Sequence, residues 1–406
     1  MSTTEEGSTA PRLAAVWEAV LGEAGRTPLP GALSVVATAP EDDPADVAAL
    51  LEAGGVRVPL ARRGIDHGAW IVLPETLSAS APLPRPSHLR RRWREARPWV
   101  WRDAVTDELR LDRNRIHGGL RLHGQLGQPG GLESLLRARL GGRGQRFGVL
   151  GPKTELADPE RDLACVGLGD ERFDDLWAKV GRLSTHPEDQ SLRLRFSFGE
   201  ERLDDASRDV ARHRAVSALT EAVLPEARLA GRKSALLERI SEWRGERLWT
   251  TQGIAYWNAP QGGARFHHDA FEDHDDPQRG VLYVQLAGQT AWLALSILDL
   301  ARRVVEFVDG VDPDDPILEA VEGEFEDERD LVAELALPGC GRLGPLVDDD
   351  PRFTAWLADC GHAAVLDAGD AIVLPNLGRA ATAMHSVFCA SAQPTYALSF
   401  ALRANA

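Results

Sequence analysis

Beyond Trp249 the chain falls into short apolar runs of four to seven residues, at 253–257, 264–269, 280–286, 290–295, 363–366, 371–374, 383–389 and 396–402, broken by glycine, proline and aspartate turns. Runs this short are too brief for a helix to bury a stripe, and their β-branched and aromatic content fits strands. Residues 249–406 are therefore expected to form an all-β barrel or sandwich, within a chain that is α+β as a whole. Between the fourth and fifth runs lies a partly helical insertion, about 298–361. Across 304–341 its only basic residue is Arg329, so it reads as a solvated lid or an interaction surface.

The preceding part is organised differently. Residues 1–10 are polar and read as a disordered tail. Residues 11–86 read as a small α/β unit. It has helical spacing over 13–24, a strand at 32–37, a helix over 43–53 stopped by Gly54-Gly55 and a strand at 69–73, and Pro82, Pro84 and Pro86 close it. Residues 87–248 are mixed, with a strand at Leu192–Phe198 and helices at 205–223 and 232–244. Within them, 90–102 interleaves six arginines with Trp93, Trp99 and Trp101, a pattern that can stack on bases or grip an anion. The 62 acidic residues outweigh 46 basic ones to give a net charge of -16, which repels a polyphosphate. The tryptophans are therefore expected to dock on the core, with no nucleic-acid partner. No apolar run approaches the ~20 residues of a membrane helix and no signal sequence opens the chain, so a cytoplasmic location with no membrane partner is expected. The four cysteines, at 165, 340, 360 and 389, form no C-x-x-C pair and are read as reduced thiols.

Two histidines and a carboxylate on one face of an ion leave the opposite positions open for oxygen and a co-substrate. The sequence form is H-x-D/E plus a distant His, and chance alone supplies such a spacing in a chain this rich in acids, so context decides. His186 with Glu188 is interrupted by Pro187, and His274 with Asp276 lies in an acidic loop. His267 with Asp269 instead follows Ala264-Arg265-Phe266, and strand alternation puts 267 and 269 on one side and His268 on the other. His385, in the apolar run Ala-Met-His385-Ser-Val-Phe-Cys, is the candidate third ligand. Gly151-Pro-Lys153-Thr154 lacks a P-loop frame, and Ser386 and Cys389 have no nucleophile-elbow context.

Phe266-His267-His268-Asp269, then Gln285-Leu-Ala-Gly288-Gln-Thr290-Ala-Trp292, then Gly369-Asp370-Ala-Ile-Val-Leu-Pro375 leading to His385 resembles the JmjC and cupin-like 2-oxoglutarate oxygenases, which include asparaginyl and ribosomal-protein hydroxylases. The resemblance covers about 250–403. It implies a double-stranded β-helix in which His267, Asp269 and His385 bind Fe(II). It further implies oxidation of an unactivated C–H bond, with 2-oxoglutarate and molecular oxygen as co-substrates. Many members carry Gln-x-x-Gly-x-Lys-x-Trp, whose lysine pairs with 2-oxoglutarate; here that place is Thr290. A hydroxyl gives one neutral hydrogen bond where a carboxylate favours a charge-assisted pair. Arg403, Arg379 and Arg265 are candidate replacement cations in a chain with only three lysines. Tyr256 and Trp257 are candidates to line the pocket, Asn258 and Gln261 to meet substrate, and Gln285 to face the shared strand interior.

The reading is thus a non-haem Fe(II)/2-oxoglutarate-dependent dioxygenase acting on a protein side chain or a small natural-product precursor. The N-terminal region would shape substrate access or the contacts of a homodimer. Two alternatives stand beside it: a metal-dependent hydrolase on the same scaffold, which Thr290 favours, and a non-catalytic binding module. Three converging polar groups without a metal would be costly for the last.

Overall fold

The computed structural model describes residues 86–140, 149–150, 160–165, 176–184, 186, 188–198, 209–230, 235–270, 278–321, 325 and 327–404, together with three short strands nearer the N-terminus. The expected tail, the helices at 13–24 and 43–53, the turn at 151–154 and the His274–Asp276 pair lie outside the described residues. The three short strands, β1 (Val35–Thr38), β2 (Val56–Pro59) and β3 (Ala69–Val72), form an antiparallel sheet in the order β1-β3-β2.

The next elements are α1 (Pro86–Arg94), β4 (Trp99–Trp101), α2 (Thr106–Leu111), α3 (Arg113–Leu126) and α4 (Gly131–Leu140). They are followed by β5 (Val149–Leu150), β6 (Glu160–Cys165), β7 (Leu176–Arg182), β8 (Leu192–Phe198), α5 (Val210–Val223) and α6 (Ala235–Arg244). The C-terminal part contributes β9 (Leu248–Trp257), β10 (Gly263–His267), β11 (Gln278–Ala287) and β12 (Thr290–Ser296), then helices α7 (Ile297–Val308), α8 (Pro316–Val321), α9 (Glu328–Leu335) and α10 (Pro351–Leu357). It ends with β13 (Ala363–Leu366), β14 (Ala371–Pro375), β15 (Ala383–Cys389) and β16 (Tyr396–Ala404).

Among the described residues the other strand ladders are also antiparallel and fall in two further sheets. One has nine strands in the order β4-β14-β11-β16-β9-β8-β7-β6-β5, the other four in the order β10-β15-β12-β13. The fold is mixed α and β, and among the described residues no ladder closes the two sheets into one ring. The large sheet runs across residue 249 without a break, because β4 pairs with β14 and β8 with β9.

Alternation gives the large sheet two working faces. Leu192, Leu194, Phe196, Ala255, Trp257, Leu398 and Phe400 pack with α3 to α6 in one core. Val281, Tyr283, Ile372, Leu374 and Ala397, from the opposite face, pack against the small sheet and the insertion in a second. Trp93 and Trp99 join the first core, and the Trp93 indole N–H donates to the Arg279 carbonyl at 2.8 Å. The arginine–tryptophan segment is thus structural, as its docked-core reading anticipates. Arg102, from the same segment, pairs with buried Asp370 in the β13–β14 turn. There Gly369 has φ +108°, and an added Cβ would meet Thr106 Oγ1 at 2.2 Å.

The insertion differs from a solvated lid. Leu331, Val332, Leu335, Cys340, Leu343, Leu346, Val347, Phe353 and Leu357 are all buried in the second core. Acids such as Glu306, Asp309, Glu328 and Asp330 are exposed while Asp299, Asp348 and Asp350 are buried, so charge count hid an amphipathic pattern. The chain enters it directly from β12, where Ser296 caps α7 by accepting the Asp299 N–H at 3.0 Å.

Candidate metal centre

β10 lies at the edge of the small sheet and pairs with β15 so that His267 stands directly opposite His385. The ladder is irregular between Ala264 and His267, and the strand stops at His267. Asp269 was expected on the strand with it; it lies instead in the following loop. One ligand atom each from His267, Asp269 and His385 lie within 4.8 Å of one another. His385 Nε2 is 3.7 Å from Asp269 Oδ2, and the two imidazole centroids are 4.2 Å apart.

Both rings are oriented in the same way. His267 Nδ1 lies 2.7 Å from the Arg265 carbonyl and His385 Nδ1 lies 3.4 Å from that of Ala383. A carbonyl only accepts, so each Nδ1 carries the proton and each Nε2 keeps its lone pair. Carbonyl-anchored imidazoles of this kind are characteristic of metal ligands. Burial, and next the neighbouring His267, push the His385 imidazole down to about 3, so it is neutral and available as a ligand. The Trp292 indole stacks on it at 5.7 Å, and Ala294 is its cross-strand partner on β12.

Asp269, the third candidate ligand, is held through its backbone. The Asp269 carbonyl accepts from Asn376 Nδ2 at 3.0 Å and from Gln278 Nε2 at 3.3 Å, leaving the carboxylate, 40% exposed, facing the histidines. His268 turns the other way: its Nε2 donates to the Ala336 carbonyl at 3.0 Å and its Nδ1 accepts the Ala270 N–H at 3.1 Å. The insertion also grips the residue before His267. The Phe266 N–H donates to Asp348 Oδ1 at 2.8 Å and the Cys340 thiol to the Phe266 carbonyl at 3.9 Å. His186 and Glu188 form a local turn, where His186 Nδ1 accepts the Glu188 N–H.

The candidate co-substrate residues separate. Thr290 is fully buried and spent: it donates to Gln285 Oε1 at 2.8 Å and accepts the Trp292 indole N–H at 2.9 Å. Gln285 Oε1 also accepts the Tyr283 hydroxyl at 3.2 Å. Arg265 is largely exposed and pairs with Asp349 at 2.8 Å, and Arg379 is exposed in the turn after β14. Arg403 is 1% exposed, on the face of β16 that also carries Ala401 and Ser399; its Nε donates to Thr251 Oγ1 at 3.1 Å. Arg403 is the direct partner of Gln278, which holds the Asp269 carbonyl. Tyr256, opposite Ala397, accepts a hydrogen bond from Ser399 at 3.3 Å. Burial, and next the Asp269 carboxylate, push its phenol up to about 12, so it is a neutral donor beside the triad. Trp257 points into the other core, its indole N–H on the Gly119 carbonyl.

Sequence reasoning treated 87–248 as scaffold and missed Arg193, Arg195 and Lys179, which the register brings to the site-facing side of the large sheet. The signal was the strict cation–apolar alternation Leu-Arg-Leu-Arg-Phe at the start of β8.

No protein-family model matches the chain, and no curated protein does. Among solved structures it is similar to YcfD, a ribosomal oxygenase from Escherichia coli, at 13% identity over 80% of this chain and 52% of that one, with TM-score 0.27. It is similar to an oxidoreductase of the 2OG-Fe(II) oxygenase family from Burkholderia pseudomallei at 8% identity, over 79% and 90% of the two chains, TM-score 0.25. A prolyl-4-hydroxylase from Pseudomonas putida matches at 9% identity, over 79% and 100%, TM-score 0.23. The chain spans about half the length of the first of these. Likeness this loose decides neither fold nor chemistry; the triad geometry stands on its own.

Proposed function

We propose that the protein is an Fe(II)- and 2-oxoglutarate-dependent oxygenase that oxidises an unactivated C–H bond of a protein side chain or a small molecule. The observation that carries this is the convergence of His267, Asp269 and His385 with both Nδ1 atoms turned onto carbonyls. Two neutral imidazoles and one carboxylate on one side of a point match the donor set of Fe(II) oxygenases and leave the other side open. The two facing sheets are read as the halves of a double-stranded β-helix.

In this reading the residues divide the work. His267, Asp269 and His385 would hold the metal. Arg403 would anchor the distal carboxylate of 2-oxoglutarate, since Thr290 is committed to its own network and a buried guanidinium offers the bidentate charge the missing lysine would have given. Tyr256 and Trp292 narrow the space beside the triad and keep water out. The bound metal supplies the redox chemistry that couples C–H oxidation to cleavage of 2-oxoglutarate. For a hydroxylation the balance is R–H + O2 + 2-oxoglutarate giving R–OH + succinate + CO2.

Thr290 also favours a second reading, a metal-dependent hydrolase that activates water and needs no 2-oxoglutarate. Aerobic incubation of the Fe(II)-loaded protein with 2-oxoglutarate, followed by succinate analysis, separates the two. Succinate above the His267→Ala background supports the oxygenase; metal binding without 2-oxoglutarate binding or turnover supports the hydrolase.

A further inference from the structure

α7 is apolar over more of its circumference than docking on the core requires. Leu300, Ala301 and Val304 are buried in the second core. Leu298 and Val305 lie seven residues apart, on one side of the helix, and are 37% and 49% exposed. Beside Val305 the surface forms a groove of about 580 Å³, to which α7 gives Ala301, Val305 and Val308. Leu318 of α8, Phe325 and Leu331 of α9 complete its apolar lining.

The polar lining is acidic. Glu306, Asp309, Asp327 and Glu328 contribute to it, and among the described residues Arg302 is its one cation. Nearby cations have internal partners: Arg302 meets Asp299 and Glu328, Arg303 meets Glu306, and Arg342 sits over the Phe325 ring while reaching Glu334. They do not balance the acids, since the stretch 304–328 carries eleven carboxylates and no lysine or arginine. The groove shares no residue with the His-Asp-His cluster, so what it binds is independent of the metal chemistry.

We propose that this groove docks a helical segment of a partner protein whose apolar anchors are flanked by lysine or arginine.

Charge complementarity selects the partner. Carboxylates around an apolar floor attract a cationic segment and repel an acidic one, which disfavours a second copy of this chain, with its net charge of -16. Length sets the form of the segment. Ala301 to Val308 spans roughly 10 Å along the helix axis, about two turns of a facing helix with anchors at i, i+3, i+4 and i+7. An exposed apolar patch rimmed by charge is also the surface pattern of a contact site. Leu298, on the same side as Val305, continues the patch toward the start of α7. The acids that gave the insertion its solvated look are, in this light, the rim of a docking groove.

The test is fluorescence polarisation with the full chain and three labelled peptides. One is a leucine–lysine helix with leucines at that spacing, one a leucine–glutamate helix, and one a leucine–lysine peptide of the same composition in scrambled order. The first should bind at least ~10-fold tighter than either of the others. Val305→Asp should weaken that binding by ~10-fold or more, whereas attraction by charge alone would be strengthened by the added carboxylate. Asp309→Asn/Asp327→Asn keeps size and an acceptor for the Arg329 N–H at the start of α9. It should weaken binding several-fold and flatten its salt dependence, and it serves if Val305→Asp fails to fold. Equal binding of the three peptides, binding of none, or unchanged affinity in either variant overturns the inference. A wild-type dimer at micromolar concentration in sedimentation that Val305→Asp dissociates overturns it too, by making a second copy the occupant.

Discussion

His267 and His385 are direct cross-strand partners on the edge pair β10–β15, their rings 4.2 Å apart and each anchored to the carbonyl two residues before it. The pairing sets the imidazoles before any ion arrives. Truncating either ring, or Asp269→Ala, is expected to lower Mn(II) or Fe(II) affinity by about 100-fold or more with the far-UV spectrum unchanged. Anaerobic titration measures this; wild-type affinity in all three variants would show that the cluster is not a metal site.

Asn376 acts on the carboxylate ligand only through its backbone carbonyl. Asn376→Ala should weaken metal binding by roughly 10-fold, because supporting contacts of this kind are worth 10- to 100-fold. The readout is the same titration, and an effect as large as that of Asp269→Ala would contradict the indirect role.

Thr290 and Arg403 can be told apart by what each loses. Thr290→Val strands the Trp292 indole N–H and leaves the Gln285 oxygen with fewer donors, at a cost of about 1–3 kcal/mol in urea unfolding, with 2-oxoglutarate affinity kept. Arg403→Gln should reduce 2-oxoglutarate affinity by ~10-fold or more while Mn(II) still binds. The reverse pattern would return the anchoring role to Thr290.

Glu226 supplies a pH signature unconnected with the metal. Burial holds its carboxyl above the usual range, against the pull of the Tyr396 hydroxyl, which donates to Oε1 at 2.5 Å. A folded-state value raised above the unfolded one means its contribution is fully present below the ordinary carboxylate range and is lost as pH rises through the raised value. Glu226→Gln keeps an acceptor for Tyr396 and removes the buried charge. Its melting temperature should exceed that of the wild type at pH 8, with the gap closing toward pH 4; a gap that widens on acidification would contradict the assignment.

Much of the C-terminal half was legible because its strands are short, largely apolar runs bounded by turn residues. The runs at Ala363–Leu366 and Ala383–Cys389 occur where their patterns place them, as does Leu192–Phe198. Asp269 was legible as a ligand candidate but not as a loop residue, since the irregularity after Ala264 is a property of the pairing with β15. The insertion was misjudged because its acids dominate any count, while Leu331, Val332 and Leu335 show their shared face only when helical spacing is weighed against charge. Arg193 and Arg195 escaped notice because Tyr256, the partner of Arg193, lies some sixty residues away, and nothing local says which side of β8 faces the His-Asp-His cluster.

Phe266 is clasped through its N–H by Asp348 and through its carbonyl by Cys340, so the excursion between β12 and β13 does for β10 what a neighbouring strand would otherwise do. A minimal version trimmed of that excursion would bare an outer strand beside the His-Asp-His cluster, an invitation to intermolecular pairing and precipitation. Engineers seeking a shorter version should trim the chain elsewhere.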